Sequence, residues 1–214
     1  MGEQAEPAAD CALCSRLAGY RADNRRNHPG FHNAPVPAFG PLDARLLIVG
    51  LAPGLKGANR TGRPFTGDYA GDLLYATLLK FGLAAGSYGR AREDGLTLSG
   101  CRITNTVRCV PPDNKPLPLE VRTCGRFLAA EIAALPRLRA VLALGTVAHG
   151  AVLAVRGARK SAYPFAHGAR HRLDDGLTLA DSYHCSRYNT NTGKLTREMF
   201  ESVFAALTPL VAAR

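Results

Sequence analysis

One stretch, Arg45-Leu-Leu-Ile-Val-Gly-Leu-Ala-Pro-Gly54, decides how this chain folds. Its first half is an uninterrupted apolar run, the pattern of a strand that is buried on both faces of a parallel sheet. A loop rich in Gly, Pro, Asn and Thr follows directly and continues to Gly71. Such a loop cannot build a core, but it allows positive φ angles and a close approach of the backbone to a ligand. The stretch therefore predicts a parallel α/β fold with a ligand-binding loop after its first strand.

The rest of the chain repeats this alternation of strands and helices. The predicted strands are Leu46–Leu51, Cys101–Val107, Ala140–Leu144 and Leu177–Ser182. Apolar residues at helical spacing predict helices at Asp72–Phe81, Leu119–Leu135, Thr146–Val155 and Thr196–Val211. Right-handed crossovers between such strands predict a three-layer α/β/α sandwich with a four-stranded parallel sheet. We expect one domain over residues 1–214, with Arg21–Pro41 as an irregular connector.

The composition indicates a globular protein with an anionic partner. Hydrophobic residues make up 46% of the 214 residues, and no apolar run approaches the roughly 20 residues that span a bilayer. Because Met1–Pro7 lacks the basic start and apolar stretch of a signal peptide, we expect a cytoplasmic monomer that does not bind membranes. Lys and Arg exceed Asp and Glu by 27 to 17, and this net charge of +10 favours a phosphate-rich polyanion. A basic but inert surface is the alternative.

The six cysteines are not equivalent. Cys11-Ala-Leu-Cys14 is a Cys-x-x-Cys pair, and Cys109 and Cys124 form a wider pair. In a cytoplasmic protein, four such thiols predict a metal centre rather than disulfides. Tetrahedral zinc and an iron–sulfur cluster both fit four cysteine ligands, and four ordinary buried thiols are the remaining alternative. Cys101, at a strand start, is expected in the core.

The glycine-rich loop does not fit a phosphate-binding loop. Gly57–Gly62 has the Gly-x-x-x-x-Gly spacing. Arg63-Pro64 follows, however, where such a loop uses Lys and Ser or Thr on phosphate and magnesium. A nucleoside triphosphatase is therefore a poor interpretation of this chain.

Four side chains near strand ends suggest instead a pocket for a nucleobase. Phe65 offers a stacking face, and Asn105 offers a donor and an acceptor for the edge of a base. Asp68 brings an anion near the sugar, and His184 can donate a hydrogen bond to a departing base. Such groups can cut the N-glycosidic bond of a flipped nucleotide through an oxocarbenium-like transition state. Each also has a structural alternative: a helix cap, a core aromatic, a strand end or a hydrogen-bonded histidine.

Three motifs give the chain a specific resemblance. Gly50-Leu-Ala-Pro-Gly54, with Gly57-Ala-Asn-Arg-Thr-Gly-Arg-Pro-Phe-Thr-Gly-Asp68, resembles the first motif of the family 5, or type b, uracil-DNA glycosylases. His184-Cys-Ser-Arg-Tyr-Asn-Thr-Asn-Thr-Gly-Lys-Leu-Thr196 resembles their second motif, and Thr104-Asn-Thr-Val-Arg-Cys-Val-Pro-Pro112 the segment between. The similarity runs from the Cys-x-x-Cys pair to the last helix. It implies an enzyme that removes uracil, and often hypoxanthine or xanthine, from DNA and leaves an abasic site.

The resemblance also implies roles for individual residues. Asp68 would orient water or stabilise the sugar cation, and His184 would stabilise the leaving base. The loop Ser186–Gly193 would press into the DNA groove. The implied substrate-binding residues are Gly50, Ala52, Gly54, Asn59, Phe65, Asn105, Ser186, Arg187 and Asn189. A [4Fe-4S] cluster is implied on Cys11, Cys14, Cys109 and Cys124, with an N-terminal cluster-binding segment of about residues 1–40.

Two positions depart from the pattern of the wider superfamily. Ala52 stands where related families carry Asp or Glu to activate water, and Cys185 where Pro is frequent. Either Asp68 supplies the carboxylate, or catalysis rests on stabilising the sugar cation and the leaving base. No lysine is placed for Schiff-base chemistry, which predicts a monofunctional hydrolase. The alternatives are a non-catalytic DNA-damage-binding protein and one that captures DNA covalently.

Overall fold

The structure, a computed structural model, describes residues 6–212. Within that range the strands are β1 (Leu46–Gly50), β2 (Ala84–Ala85), β3 (Thr97–Leu98), β4 (Cys101–Asn105), β5 (Ala140–Leu144), β6 (Arg170–Arg172) and β7 (Thr178–Ser182). The α-helices are α1 (Ser15–Asn27), α2 (Ala58–Thr61), α3 (Tyr69–Lys80), α4 (Pro118–Ala133), α5 (Thr146–Val155), α6 (Arg187–Asn191) and α7 (Arg197–Val211).

The central sheet has the strand order β4-β1-β5-β7-β6 in the part of the chain that is described. The pairs β1–β4, β1–β5 and β5–β7 are parallel, as predicted. All residues of β1, β5 and β7 are buried, which explains the uninterrupted apolar runs of β1 and β5 in the sequence. The predicted count of four strands is too low, because β6 joins antiparallel to β7 at the edge. Its Arg-His-Arg sequence carries no apolar run, since an edge strand can face solvent.

Helices cover both faces of the sheet and complete the predicted three layers. On one face α3 and α7 pack around an apolar cluster that includes Leu74 and Phe204. On the other face α4 and α5 pack around Leu128 and Val152. The ends of all four parallel strands therefore open at one edge between two helical layers, where ligands bind in such sheets.

Two segments differ from the expectations. The predicted connector Arg21–Pro41 begins inside α1, whose buried residues are Leu17, Arg21 and Asn24. Polar residues occupy most of that buried face, so the helix shows no apolar periodicity in the sequence. The predicted loop Ser186–Gly193 contains the short helix α6. The sequence predicts no signal peptide over Met1–Pro7, and residues 1–5 of that segment lie outside the described residues. Within residues 6–212, no helix is long and apolar enough to cross a membrane.

Candidate active site

The candidate site lies where three parallel strands end. Gly50 and Asn105 are register partners at the ends of β1 and β4, and His184 follows β7. Between them is a narrow cavity of about 40 Å³, lined by Ala52, Gly54, Ala58, Phe65, Asp68, Ala70, Asn105 and His184. The structure thus brings together the four side chains that the sequence assigned to a nucleobase pocket.

Gly50 lets two of these side chains meet over the backbone of β1. A Cβ atom at Gly50 would lie 2.4 Å from Asn105 Oδ1 and 2.5 Å from Phe65 Cζ. Any side chain here would push the aromatic ring and the amide out of place. The glycine therefore permits the close approach of these two side chains, although it does not itself line the cavity.

Phe65 forms the aromatic wall of the cavity in an unusual backbone conformation. Its φ is 52°, in the left-handed region, which costs a residue other than glycine roughly 1–2 kcal/mol. The ring is 6% exposed. It stacks on the His184 imidazole, with centroids 5.9 Å apart and planes inclined by 26°. The strained backbone thus serves to aim an aromatic face into the pocket.

Asp68 is both a helix cap and a pocket residue. Its Oδ1 accepts a hydrogen bond of 3.3 Å from the Gly71 N–H at the start of α3. Its Oδ2 faces Gly54 and Gly57, where Cβ atoms would lie 3.2 and 2.4 Å away. Burial raises the pKa of the carboxyl above its usual value, and the nearby Asp72 adds to the shift. One oxygen thus serves the fold while the other borders the cavity.

His184 is held as a neutral imidazole. Burial lowers its pKa to about 4, because the surroundings disfavour the charged form. At neutral pH the ring therefore keeps one N–H donor and carries no charge. Gly145, at the end of β5, lies beside it, with 3.8 Å between a Cβ built on Gly145 and His184 Cβ.

The remaining residues of the second motif surround His184 without lining the cavity. Asn189 Nδ2 donates to the His184 carbonyl at 2.8 Å, and the Ser186 hydroxyl accepts from the Asn189 N–H at 3.3 Å. Arg187 is exposed, and its guanidinium lies 5.4 Å from the centre of the Tyr69 ring. These contacts give Ser186 and Asn189 a role in placing the His184 backbone.

Two further residues of the motifs, Cys185 and Asn59, lie outside the cavity. The Cys185 thiol is fully buried and donates to the Ala70 carbonyl at 3.4 Å, so it ties the second motif to α3. Burial also raises its pKa, which suits a packing residue rather than a nucleophile. Asn59 does not line the cavity, since its side chain is buried and donates to Asn33 Oδ1 at 2.9 Å.

Four thiols line a second, smaller cavity of about 20 Å³: Cys11, Cys14, Cys109 and Cys124. Apolar residues surround it, and Ala52 of the glycine-rich loop packs against the same cluster. The backbone N–H of Arg108 donates to Cys124 Sγ, and the Arg21 guanidinium donates to Cys109 Sγ, both at 3.4 Å. Burial raises the pKa of Cys109 to about 11 and of Cys124 to about 12. Within residues 6–212, no three such side chains are arranged to hold a single metal ion.

Comparison with known families places the chain. Residues 37–208 match the family described as the Uracil DNA glycosylase superfamily. The chain belongs to this superfamily. It is 48% identical over 198 residues to the Type-5 uracil-DNA glycosylase of Thermus thermophilus, covering 90% of each chain. It is 41% identical to that of Pyrobaculum aerophilum, covering 91% of this chain and 86% of the relative. It is 42% identical to the Type-5 uracil-DNA glycosylase of Mycobacterium tuberculosis, covering 91% of this chain and 75% of the relative. The predicted family is confirmed.

Two residues that line the cavity, Ala58 and Ala70, were not predicted from the sequence. Ala58 and Ala70 border the cavity, but alanine has no chemical signature that would indicate a site. Ala58 precedes Asn59 inside the first motif and Ala70 lies two residues after its end at Asp68, and this proximity was the available signal. Small side chains at these points leave room next to the Asp68 carboxylate.

Proposed function

We propose that this chain hydrolyses the N-glycosidic bond of uracil in DNA, acting as a monomer and leaving an abasic site. The convergence of Phe65, Asp68, Asn105 and His184 on one cavity carries the proposal. Similarity to Type-5 uracil-DNA glycosylases over about nine-tenths of the chain supports it. The net charge of +10 suits a DNA partner, because phosphate contacts release condensed counterions.

Each side chain has a task in this reaction. The flipped uracil stacks on Phe65, and the Asn105 amide hydrogen-bonds to its edge. As the bond breaks, positive charge grows on the sugar and negative charge on the base. The neutral His184 N–H stabilises the base anion, and the Asp68 carboxylate stabilises the sugar cation and orients the attacking water.

Asp68 takes on this task because Ala52 lacks a carboxylate. Among the described residues that line the cavity, Asp68 is the only acid. Its Oδ2 is not engaged in the helix cap, which uses Oδ1. The raised pKa of Asp68 makes the carboxylate more basic than an exposed one, and this favours water activation.

The helix α6 is the proposed contact with the DNA groove. It carries Tyr188, which is 73% exposed, beside the cationic Arg187. Asn189 of the same helix donates a hydrogen bond to the His184 carbonyl. A displacement of α6 by bound DNA would therefore be passed directly to the proposed catalytic histidine. Insertion of this helix would help to hold the uracil out of the duplex.

The four thiols around the second cavity fit an iron–sulfur cluster. Deprotonated thiols need a positive charge or hydrogen-bond donors in such an apolar setting, and the Arg21 guanidinium and the Arg108 backbone N–H already donate to two of the sulfurs. A single zinc ion requires all four sulfurs within about 2.3 Å of one point, whereas a four-iron cluster spreads them apart. A [4Fe-4S] cluster there would join the segment just before α1, the loop after β4, and α4.

A base-release assay on duplexes that contain uracil, hypoxanthine or xanthine tests the function. We expect free uracil and an intact abasic strand, and we extend the proposal to the two deaminated purines. Strand cleavage without added base would contradict a monofunctional hydrolase. A DNA adduct that survives a denaturing gel would favour covalent capture, and binding without base release would favour a non-catalytic damage-binding protein.

Replacement of one proposed ligand tests the cluster. We expect Cys124→Ala to lose the brown colour and most of the iron, because three thiolates hold such a cluster weakly. Cys101→Ala is the matched control, since Cys101 is buried in the core beside β1 and does not line the thiol cavity. Iron content and visible absorption are the measurements. A colourless wild-type protein that contains zinc would refute the proposal.

A further inference from the structure

The left-handed backbone of Phe65 needs an explanation, because nothing in an aromatic residue favours it. Glycine would adopt this conformation freely, but glycine could not supply the aromatic wall. A residue held in such a conformation persists only where its surroundings enforce it. The contacts around Pro64–Gly67 are therefore informative.

Two tyrosine hydroxyls hold this segment by its backbone. Tyr88 Oη donates to the Phe65 carbonyl at 3.1 Å and accepts from the Gly67 N–H at 3.4 Å. Tyr75 Oη donates to the Pro64 carbonyl at 2.7 Å. Burial raises the pKa of Tyr88 to about 12, so its hydroxyl keeps its proton at neutral pH. Consecutive peptide carbonyls on both sides of the Phe65 α-carbon are thereby fixed.

A buried ion pair in turn holds the two tyrosines. Their rings stack with centroids 4.5 Å apart, and the Arg63 guanidinium lies 5.3 and 5.8 Å from those centroids. Arg63 donates twice to Asp94, at 2.8 and 2.7 Å, and the two side chains are 3% and 5% exposed. Asp94 also accepts from the Gly89 N–H at 2.9 Å, which fixes the loop that carries Tyr88. The strands β2 and β3, at the two ends of this loop, pair antiparallel and hold its ends together.

We propose that these four residues, the Arg63–Asp94–Tyr75–Tyr88 brace, position Phe65 for the flipped base. The inference rests on the proposed function, since it concerns the stacking wall of that site. The brace residues touch neither base nor sugar; they act through the backbone of Phe65. Loss of the two hydroxyls lets Phe65 relax toward a negative φ, and the ring then leaves Gly50 and His184. The turnover rate for uracil release then falls, while the affinity for DNA does not change.

The double variant Tyr75→Phe/Tyr88→Phe tests the brace, because it keeps both rings and removes only the hydroxyls. Tyr163→Phe is the matched control: it loses a hydroxyl that lies 3.3 Å from Asp174 at the surface. We expect kcat for uracil release to fall by about 100-fold in the double variant, as for a misplaced reacting group, with KM for DNA little changed. The control should behave as wild type. If the double variant does not fold, Tyr88→Phe alone is measured.

A spectroscopic measurement separates positioning from other effects. Because Phe65 stacks on His184, ring currents shift the ¹H–¹³C signals of that imidazole. We expect these signals to move in the double variant and to stay in Tyr163→Phe. An unchanged kcat, or a lower kcat with unmoved His184 signals, would overturn the proposal. If the wild type releases no uracil but the signals still move, the positioning is upheld and the function itself fails.

Discussion

Asp68→Asn is expected to lower the single-turnover rate of uracil release by roughly 10²–10³-fold, as for loss of an electrostatic or acid–base group. The substitution removes the negative charge that faces the sugar and the proposed acceptor for the water proton. It keeps the helix intact, because Asn is as good an N-cap as Asp and its side-chain oxygen can still accept from the Gly71 N–H. The rate should therefore fall without loss of folding stability, which thermal unfolding will show.

Asp72→Asn is the control for this change. It lies one turn further along α3, where its carboxylate pairs with Arg90 at the surface, 2.7 Å away. Such exposed pairs contribute little, so the control should keep near wild-type activity and stability. A near-normal rate in Asp68→Asn would move the chemistry away from this carboxylate and leave leaving-group stabilisation as the main effect.

His184→Ala is expected to cost a similar factor of roughly 10²–10³ in the single-turnover rate, because an N–H donor to the developing base anion is lost. DNA binding should change little, since the ring lies inside the pocket and the exposed α6 stays in place. His28→Ala, which removes an imidazole stacked on Phe31 outside the pocket, is the control. Equal losses in both variants would indicate a general effect on the fold.

The lowered pKa of His184 gives this prediction a pH dependence. The folded ring takes up a proton only near pH 4, whereas the unfolded ring does so near 6.5. Between these values the unfolded state binds more protons, so stability falls as the pH falls. His184→Ala should remove this part of the decline, seen as a smaller drop in Tm between pH 6.5 and about 4 than in wild type. Identical slopes would mean that the imidazole is not held neutral.

Much of the fold follows from local patterns. The central strands β1 and β5 are buried on both faces, so their apolar runs were visible without any partner. The predicted strands Leu46–Leu51 and Cys101–Val107 run past the observed ends at Gly50 and Asn105. The regular strand register ends there and the loops that carry the candidate site begin, a boundary that hydrophobicity does not mark. The helix α1, with Arg21 on its buried face, and the edge strand β6 were not predicted from the sequence. Neither element buries an apolar stripe, so neither has a hydrophobic pattern.

The sequence by itself determined which chemical groups the candidate site contains: an aromatic ring, an amide, a carboxylate and an imidazole on segments at or after the ends of parallel strands, and four separate thiols. Residue type and strand order suffice for this, because parallel strands bring their ends to one edge. The tertiary structure decided how each group is used. It divided the two oxygens of Asp68 between cap and cavity, made His184 neutral by burial, and placed Asn59 away from the pocket. It also held Phe65 left-handed through Tyr88, a residue 23 positions away. Desolvation and contacts between residues far apart in the sequence exist only after folding, so no local sequence pattern can predict them.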